Sequence, residues 1–159
     1  MSLVMNKNWP ATLALAALAL SMPAFATDVS SQTAPAEPDV VLSADEVSLD
    51  DFLWINRPVV VFADTPADPR FVQQMQLLLR EYDELEVRDV VVITDTDPDA
   101  QSELRTKLRP RGFMLALIGK DGQVKLRKPL PWSVRELSRT IDKMPTRQQE
   151  IRDRRVSNF

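Results

Sequence analysis

Asp64 and Arg70 are the side chains best placed to do chemistry. They flank Asp68-Pro69, a helix start, directly after the apolar run Pro58–Ala63. A helix start at the carboxyl end of a buried strand is where α/β sheets hold ligands. Its free N–H groups attract anions, and an arginine there adds a two-pronged donor for carboxylate or phosphate. The simpler reading is that Asp68 caps the helix, Arg70 is solvated and Asp64 ends the strand. Other chemistry is excluded by what is missing. The chain has no cysteine and no histidine. Thiol redox, thiolate metal sites, imidazole bases and imidazole metal ligands are therefore ruled out. Any enzyme here works with carboxylates, Lys, Arg, Tyr82 or hydroxyls. No catalytic residue, metal site or cofactor is assigned from the sequence.

Two further clusters compete for attention. Asp95-Thr96-Asp97-Pro98-Asp99 offers alternating carboxylates after a strand. A calcium loop would need Gly at 100 and Glu at 106, where Ala100 and Thr106 stand. A phosphatase of the haloacid-dehalogenase type needs a hydroxyl where Asp99 stands. The remaining reading is that Asp97 caps the next helix ahead of Pro98. Lys125 and Arg127 project from one face of an alternating strand, and with Arg57 and Lys120 could form a small basic patch for an anion or protein. On an exposed strand the same residues serve solubility and edge protection. Trp54 and Trp132 read as core or staple residues.

The elements that would position these groups are legible from pattern. Ser48 and Asp51 form a capping box before a short helix, with Val47 against Phe52 as a staple. Pro58–Ala63 is a strand buried on both faces. Phe71, Met75, Leu78, Leu79, Tyr82 and Leu85 lie on one face of a single helix. Val87–Thr94 is a second strand, a helix with Leu104 and Leu108 follows, and Gly112–Ile118 is a third strand. Asp121-Gly122 makes a hairpin into Gln123–Arg127. Ser133 and Glu136 form another capping box before a helix that Pro145 ends, with Trp132 against Leu137. Strands alternating with helices and a closing hairpin predict an α/β fold.

The start of the chain reads as a secretion signal. Lys7 precedes the apolar run Ala11–Leu20, Pro23 breaks it, and Ala24-Phe25-Ala26 is a small-x-small cleavage pattern. The run is shorter than the roughly 20 residues a membrane span needs. The expected organisation is a signal peptide at 1–26, a flexible Ser/Thr/Ala/Pro linker at 27–45, one domain at 46–145 and a polar basic tail at 146–159. Removing Lys7 with the signal leaves 19 basic against 23 acidic residues, a net charge of −4. That balance argues against nucleic acid as a partner. No stable membrane anchor is expected after cleavage, and the product would be periplasmic or secreted.

The order of elements, with Gly119-Lys120-Asp121-Gly122 before Val124-Lys125-Leu126-Arg127, resembles the thioredoxin and peroxiredoxin fold. Leu49-Asp50-Asp51-Phe52, Trp54, Asn56-Arg57-Pro58, Asp68, Arg70, Arg88-Asp89-Val90-Val91 and Met144-Pro145-x-Arg147-Gln148-x-Glu150 complete a more specific likeness. It is to an exported bacterial family with a domain of unknown function, which resembles a domain of vertebrate sushi-repeat and coiled-coil-containing matrix proteins. The resemblance implies a βαβαββα core with an extra N-terminal helix and a helical C-terminal tail. Its redox motif does not carry over, because Pro66-Ala67-Asp68-Pro69 stands where a thioredoxin has its cysteine pair. The family's cis-proline would fall near Phe113. The expectation is a redox-inactive domain that binds an envelope protein or small ligand through Asp64, Arg70, Lys125 or Arg127. The alternative is a non-thiol enzyme using carboxylates and arginine in the loop after the first strand.

Overall fold

The computed structural model describes residues 40–157. The expected signal, most of the expected linker and the last two residues lie outside that range. Five strands form one mixed sheet in the order β1-β3-β2-β4-β5. They are β1 (Val41–Ser43), β2 (Arg57–Phe62), β3 (Val90–Asp95), β4 (Met114–Ile118) and β5 (Val124–Lys128). β1, β3 and β2 run parallel, while β4 is antiparallel to both β2 and β5. The helices are α1 (Pro69–Arg80), α2 (Tyr82–Glu86), α3 (Glu103–Leu108), α4 (Val134–Asp142) and α5 (Pro145–Ser157). This is the predicted α/β arrangement, and the element before β2 is a 3-10 turn, Leu49–Phe52.

Strand alternation divides the core into two layers. Val59, Val61 and Ala63 point to one face with Val92, Leu115 and Leu117, where they meet Phe71, Met75, Leu78, Leu137 and Ile141. Val60 and Phe62 point to the other face with Ile93, Ala116 and Ile118, against Leu49, Leu104 and Leu108. Every residue of β2 is therefore buried, as expected of a central strand with helices on both sides. Both capping boxes form as read from the sequence. Trp132 packs on the first layer, and its backbone N–H and C=O both bond the side chain of buried Gln74.

Several expectations need correction. The C-terminal end of the expected linker is ordered: Val41–Ser43 pairs with Val92–Thr94 as an edge strand. The single long helix breaks at Glu81, whose non-helical backbone (φ −122°, ψ 33°) separates α1 from α2. Asp97 does not cap α3. It turns back to accept from the N–H groups of Asp99 and Ala100, and Ser102 is the cap. Trp54 is not a core residue but 70 % exposed, beside Ile55 at 63 %. Its φ of 64° is unusual for a bulky side chain. The N–H of Trp54 is held by the Lys120 carbonyl at 2.7 Å, which fixes this conformation.

The largest correction concerns Arg57, which the sequence pattern offers as part of a small exposed basic patch. It is fully buried at the first residue of β2. Its guanidinium donates to Glu150 Oε1 at 2.7 Å and to the Arg88 carbonyl at 2.8 Å, and it faces Asp89 at 3.8 Å. Lys120 Nζ joins Asp89 at 2.8 Å and Glu150 at 3.2 Å. Arg147, also buried, reaches Glu150 Oε2 at 3.2 Å and the Val87 carbonyl at 3.0 Å. The polar tail after Pro145 is thus a helix, α5, whose first turns are clamped to the sheet by charge.

Burial pushes the Glu150 carboxyl up, but hydrogen bonds from Arg57, Lys120 and Arg147 outweigh it and hold the pKa at about 2, against an ordinary 4.5. A carboxyl depressed in the folded state stabilises above its ordinary value, and that contribution is lost as pH falls through it. Between about pH 4.5 and pH 2 the wild type should lose stability, and Glu150→Gln should show a shallower slope over the same window. At neutral pH, Glu150→Gln should cost about 3 kcal/mol in urea unfolding. That is the lower end of the range for breaking a buried ion pair, because Asp89 still faces Arg57. A loss under about 0.5 kcal/mol, as for an ordinary surface change, would mean that charge does not dock α5.

Candidate functional site

The loop after β2 has the predicted form but not the predicted freedom. Asp68 caps α1 by accepting from the Arg70 N–H at 2.8 Å. Its carboxylate also takes the Arg70 side chain, Nε at 3.3 Å and Nη2 at 3.0 Å. Those bonds hold the Asp68 carboxyl below its ordinary value and raise the Arg70 guanidinium. Arg70 is therefore engaged by its own cap, and its guanidinium lies 5.5 Å from the centre of the Phe113 ring. Asp64 is exposed on the loop, close enough to Gly112 that a Cβ there would lie 3.6 Å from Asp64 Oδ2. Asp64 and Arg70 both border the Gly112-Phe113 segment.

Beneath this loop, Asp95 is committed to structure. Ser102 Oγ donates to it at 2.5 Å, and Arg105 binds it through Nε at 3.0 Å and Nη2 at 2.6 Å. Arg105 Nη2 also donates to the carbonyls of Ala63 and Asp95, at the ends of β2 and β3. The acidic run 95–99 is thus a strand lock and a turn. Among the described residues, no group of three or more metal-ligating side chains could hold a metal ion.

The most site-like feature lies next door. A cleft of about 270 Å3 is lined by Arg109, Arg111, Phe113, Met114, Arg127, Lys128 and Pro129. Two strand pairings assemble it. Phe62 pairs with Met114, so the loop before β4 sits at the carboxyl end of β2. Leu115 pairs with Lys128, so the end of β5 lies beside that loop. Four cations line the cleft and no carboxylate does. Among the described residues none of the four makes an ion pair. Arg127 Nη1 donates to the Leu108 carbonyl at 2.7 Å, which fixes the guanidinium at the wall. Lys128 Nζ lies 4.5 Å from the centre of the Trp132 ring.

The sequence-predicted residues therefore separate. Arg127 lines the cleft, and Asp64 and Arg70 border its Phe113 side without lining it. Lys125 is tied to Asp121 in the hairpin turn at 2.6 Å, toward the other end of β5. Arg57 and Lys120 belong to the ion cluster at the amino end of β2. Arg109, Arg111 and Lys128 were missed. Their signal was partial: counting outward from the Asp121-Gly122 turn sets Arg127 and Lys128 opposite Ala116 and Leu115, on the strand that Arg109-Pro110-Arg111 precedes, and only the path of that loop brings the two groups together.

Comparison with known proteins bears on the fold rather than on this cleft. The model of a family described as a domain of unknown function (DUF4174) matches residues 48–150, and the chain belongs to that family. Among curated proteins no sequence matches the chain. Solved structures that resemble it include reduced Plasmodium vivax 2-Cys peroxiredoxin, at TM-score 0.54 and 14 % identity, covering 65 % of this chain and 85 % of that one. Plasmodium yoelii Prx1a is similar at TM-score 0.50 and 19 % identity, covering 65 % and 81 %. The likeness is one of fold: the sheet and its helices form a thioredoxin-like domain, here without cysteine.

If the cap rather than a ligand explains this loop, stability should follow the cap. Asp68→Ala should cost about 1 kcal/mol, the usual value of an N-cap. Asp64→Ala and Arg70→Ala should each stay within about 0.5 kcal/mol, as exposed positions do. Urea unfolding of the three variants decides. Equal losses at Asp64 and Asp68 would show that the cap does not dominate.

Proposed function

We propose that this is an exported, redox-inactive thioredoxin-like binding domain of the bacterial envelope, whose ligand is held by an anionic group in the cationic cleft. The observation that carries the reading is the four unpaired cations around one concave site. Long cationic side chains repel one another at such density. On a chain of net charge −3, carboxylates to neutralise them are plentiful, yet none lines the cleft. Arg109, Arg111 and Arg127 are exposed and Lys128 is half-buried, whereas the buried or half-buried arginines 57, 88, 105 and 147 all have carboxylate partners. A site at the carboxyl end of the parallel strands also follows the general placement of ligands on such sheets. An enzyme built on Asp64 and Arg70 is less well supported, because Arg70 is engaged by Asp68.

Export is argued from the Lys7, Ala11–Leu20 and Ala24-Phe25-Ala26 pattern, outside the described residues. Among the described helices none is long and apolar enough to cross a membrane. When the chain is expressed with its first 26 residues in a bacterial host, mass spectrometry of the periplasmic fraction should find Thr27 at the N-terminus. A chain retained in the cytoplasm with Met1 would sink this part of the reading.

The cleft itself is tested with inorganic phosphate. Amide resonances of Arg109, Arg111, Gly112, Phe113, Arg127 and Lys128 should shift on titration and saturate, and added salt should weaken binding by screening. Arg111→Gln combined with Lys128→Gln should remove the saturation while the melting temperature holds. Shifts that never saturate, or that persist in the double variant, would place the anion elsewhere.

A further inference from the structure

We propose that the cleft takes a small organic anion, one acidic head on an apolar body, as in an alkyl carboxylate or aryl sulfonate. This deepens the reading of the cleft as the ligand site and rests on it. The shape of the charge supports a single head. Arg109 and Arg111 come from the loop before β4, Arg127 and Lys128 from the end of β5, and the four converge on one concavity rather than running along a stripe. A stripe would track a polymer backbone, whereas a converging set meets one head group.

The walls support an apolar body. Between the cations the cleft is formed by Phe113, Met114 and Pro129. Small-ligand sites are mostly apolar with a few placed polar groups, and their volumes begin near about 300 Å3. The 270 Å3 here suits one modest ligand. The cations are also partly pre-positioned. Arg127 is pinned through one nitrogen to the Leu108 carbonyl, leaving other N–H donors for a ligand. Lys128 rests over the Trp132 ring, and Trp132 is fixed through its backbone to Gln74. Less side-chain freedom is then lost on binding. The net charge of −3 opposes a large polyanion at long range, while a small single-headed anion responds mainly to the local cations.

The test uses the protein lacking residues 1–26 and the fluorescent aryl sulfonate 1-anilinonaphthalene-8-sulfonate. Its fluorescence should rise saturably with the folded protein, with near-UV circular dichroism unchanged. Decanoate should displace it at a concentration at least tenfold below the one at which inorganic phosphate does. Arg111→Gln with Lys128→Gln should weaken the probe at least tenfold at an unchanged melting temperature. Arg135→Gln with Arg139→Gln, on α4 and outside the cleft, should leave affinity as it is. No saturable signal, displacement by phosphate as effective as by decanoate, tighter binding of heparin through the same residues, or equal loss in the α4 variant would each overturn the proposal. If phosphate still saturates the cleft while the aryl sulfonate does not bind, the ligand class is wrong and the anion site stands. If neither binds, both fall.

Discussion

The structure depends on keeping β2 at the centre of the sheet, buried along its whole length, with an arginine settling the polar groups at each end. At the amino end Arg57 is itself the first strand residue and carries a full charge into the interior. An ion in such a place costs several kcal/mol unless it is paired and hydrogen-bonded. The solution recruits distant segments: Glu150 from α5, Asp89 from the turn before β3, and the Arg88 carbonyl. Asp89 adopts a φ of 55°, a conformation that Asp tolerates better than most residues. At the carboxyl end Arg105 reaches across from α3 to the Ala63 and Asp95 carbonyls and is neutralised by Asp95. Apolar packing decides which elements stack. The two arginines decide how α3 and α5 are fastened to the strand ends.

This division separates structural charge from available charge. At the amino end the cations Arg57, Lys120, Arg147 and Arg154 contact the anions Asp89 and Glu150, and a local excess of positive charge is held close to carboxylates. The groove between α2 and α4 is likewise mixed, with Glu81, Glu84 and Asp142 facing Arg88, Arg135 and Arg139. Only the lining between the loop before β4 and the end of β5 is cationic without acids among these surfaces. A charge that is buried and paired is committed to folding, whereas the cations around this cleft make no ion pair among the described residues. That distinction, rather than the mere presence of arginine, sets the carboxyl end of the sheet apart.

Much of the fold was legible because it is encoded locally. The apolar run ending at Ala63, the Asp68-Pro69 cap, the Ser48 and Ser133 capping boxes and the Asp121-Gly122 hairpin each need only a few neighbouring residues to specify them. Misreadings arose where a distant partner decides. Val41–Ser43 is too short to stand out from a polar segment, and it is a strand only because β3 offers an edge. Trp54 looks like a core residue by type, but the Lys120 carbonyl holds its backbone in a turn that turns the ring outward. The Arg147-Glu150 segment reads as a solvated tail until Arg57 is known to be buried. Arg57, Arg88, Asp89, Lys120, Arg147 and Glu150 all belong to the segments on which the family likeness was read, and they converge on one ion cluster. The likeness thus carried architectural information more than a functional site.

The loop after β2 shows how a fold can keep its geometry while changing what that geometry serves. In the sequence, Asp64 and Arg70 stand out because they flank a helix start at a strand end. In the structure the helix N-terminus is occupied from within, by Asp68 and through it by Arg70. An anion arriving there would have to displace a carboxylate already bonded to the N–H and guanidinium groups it seeks. Across Phe113 the conditions reverse. The loop before β4 presents Arg109 and Arg111 without acids, and Arg127 and Lys128 from the end of β5 line the same cleft. At this end of the sheet the unpaired cations lie on the β4–β5 side rather than at the α1 terminus. The cause is a single side chain: an aspartate that caps its own helix leaves that terminus with little to offer a ligand.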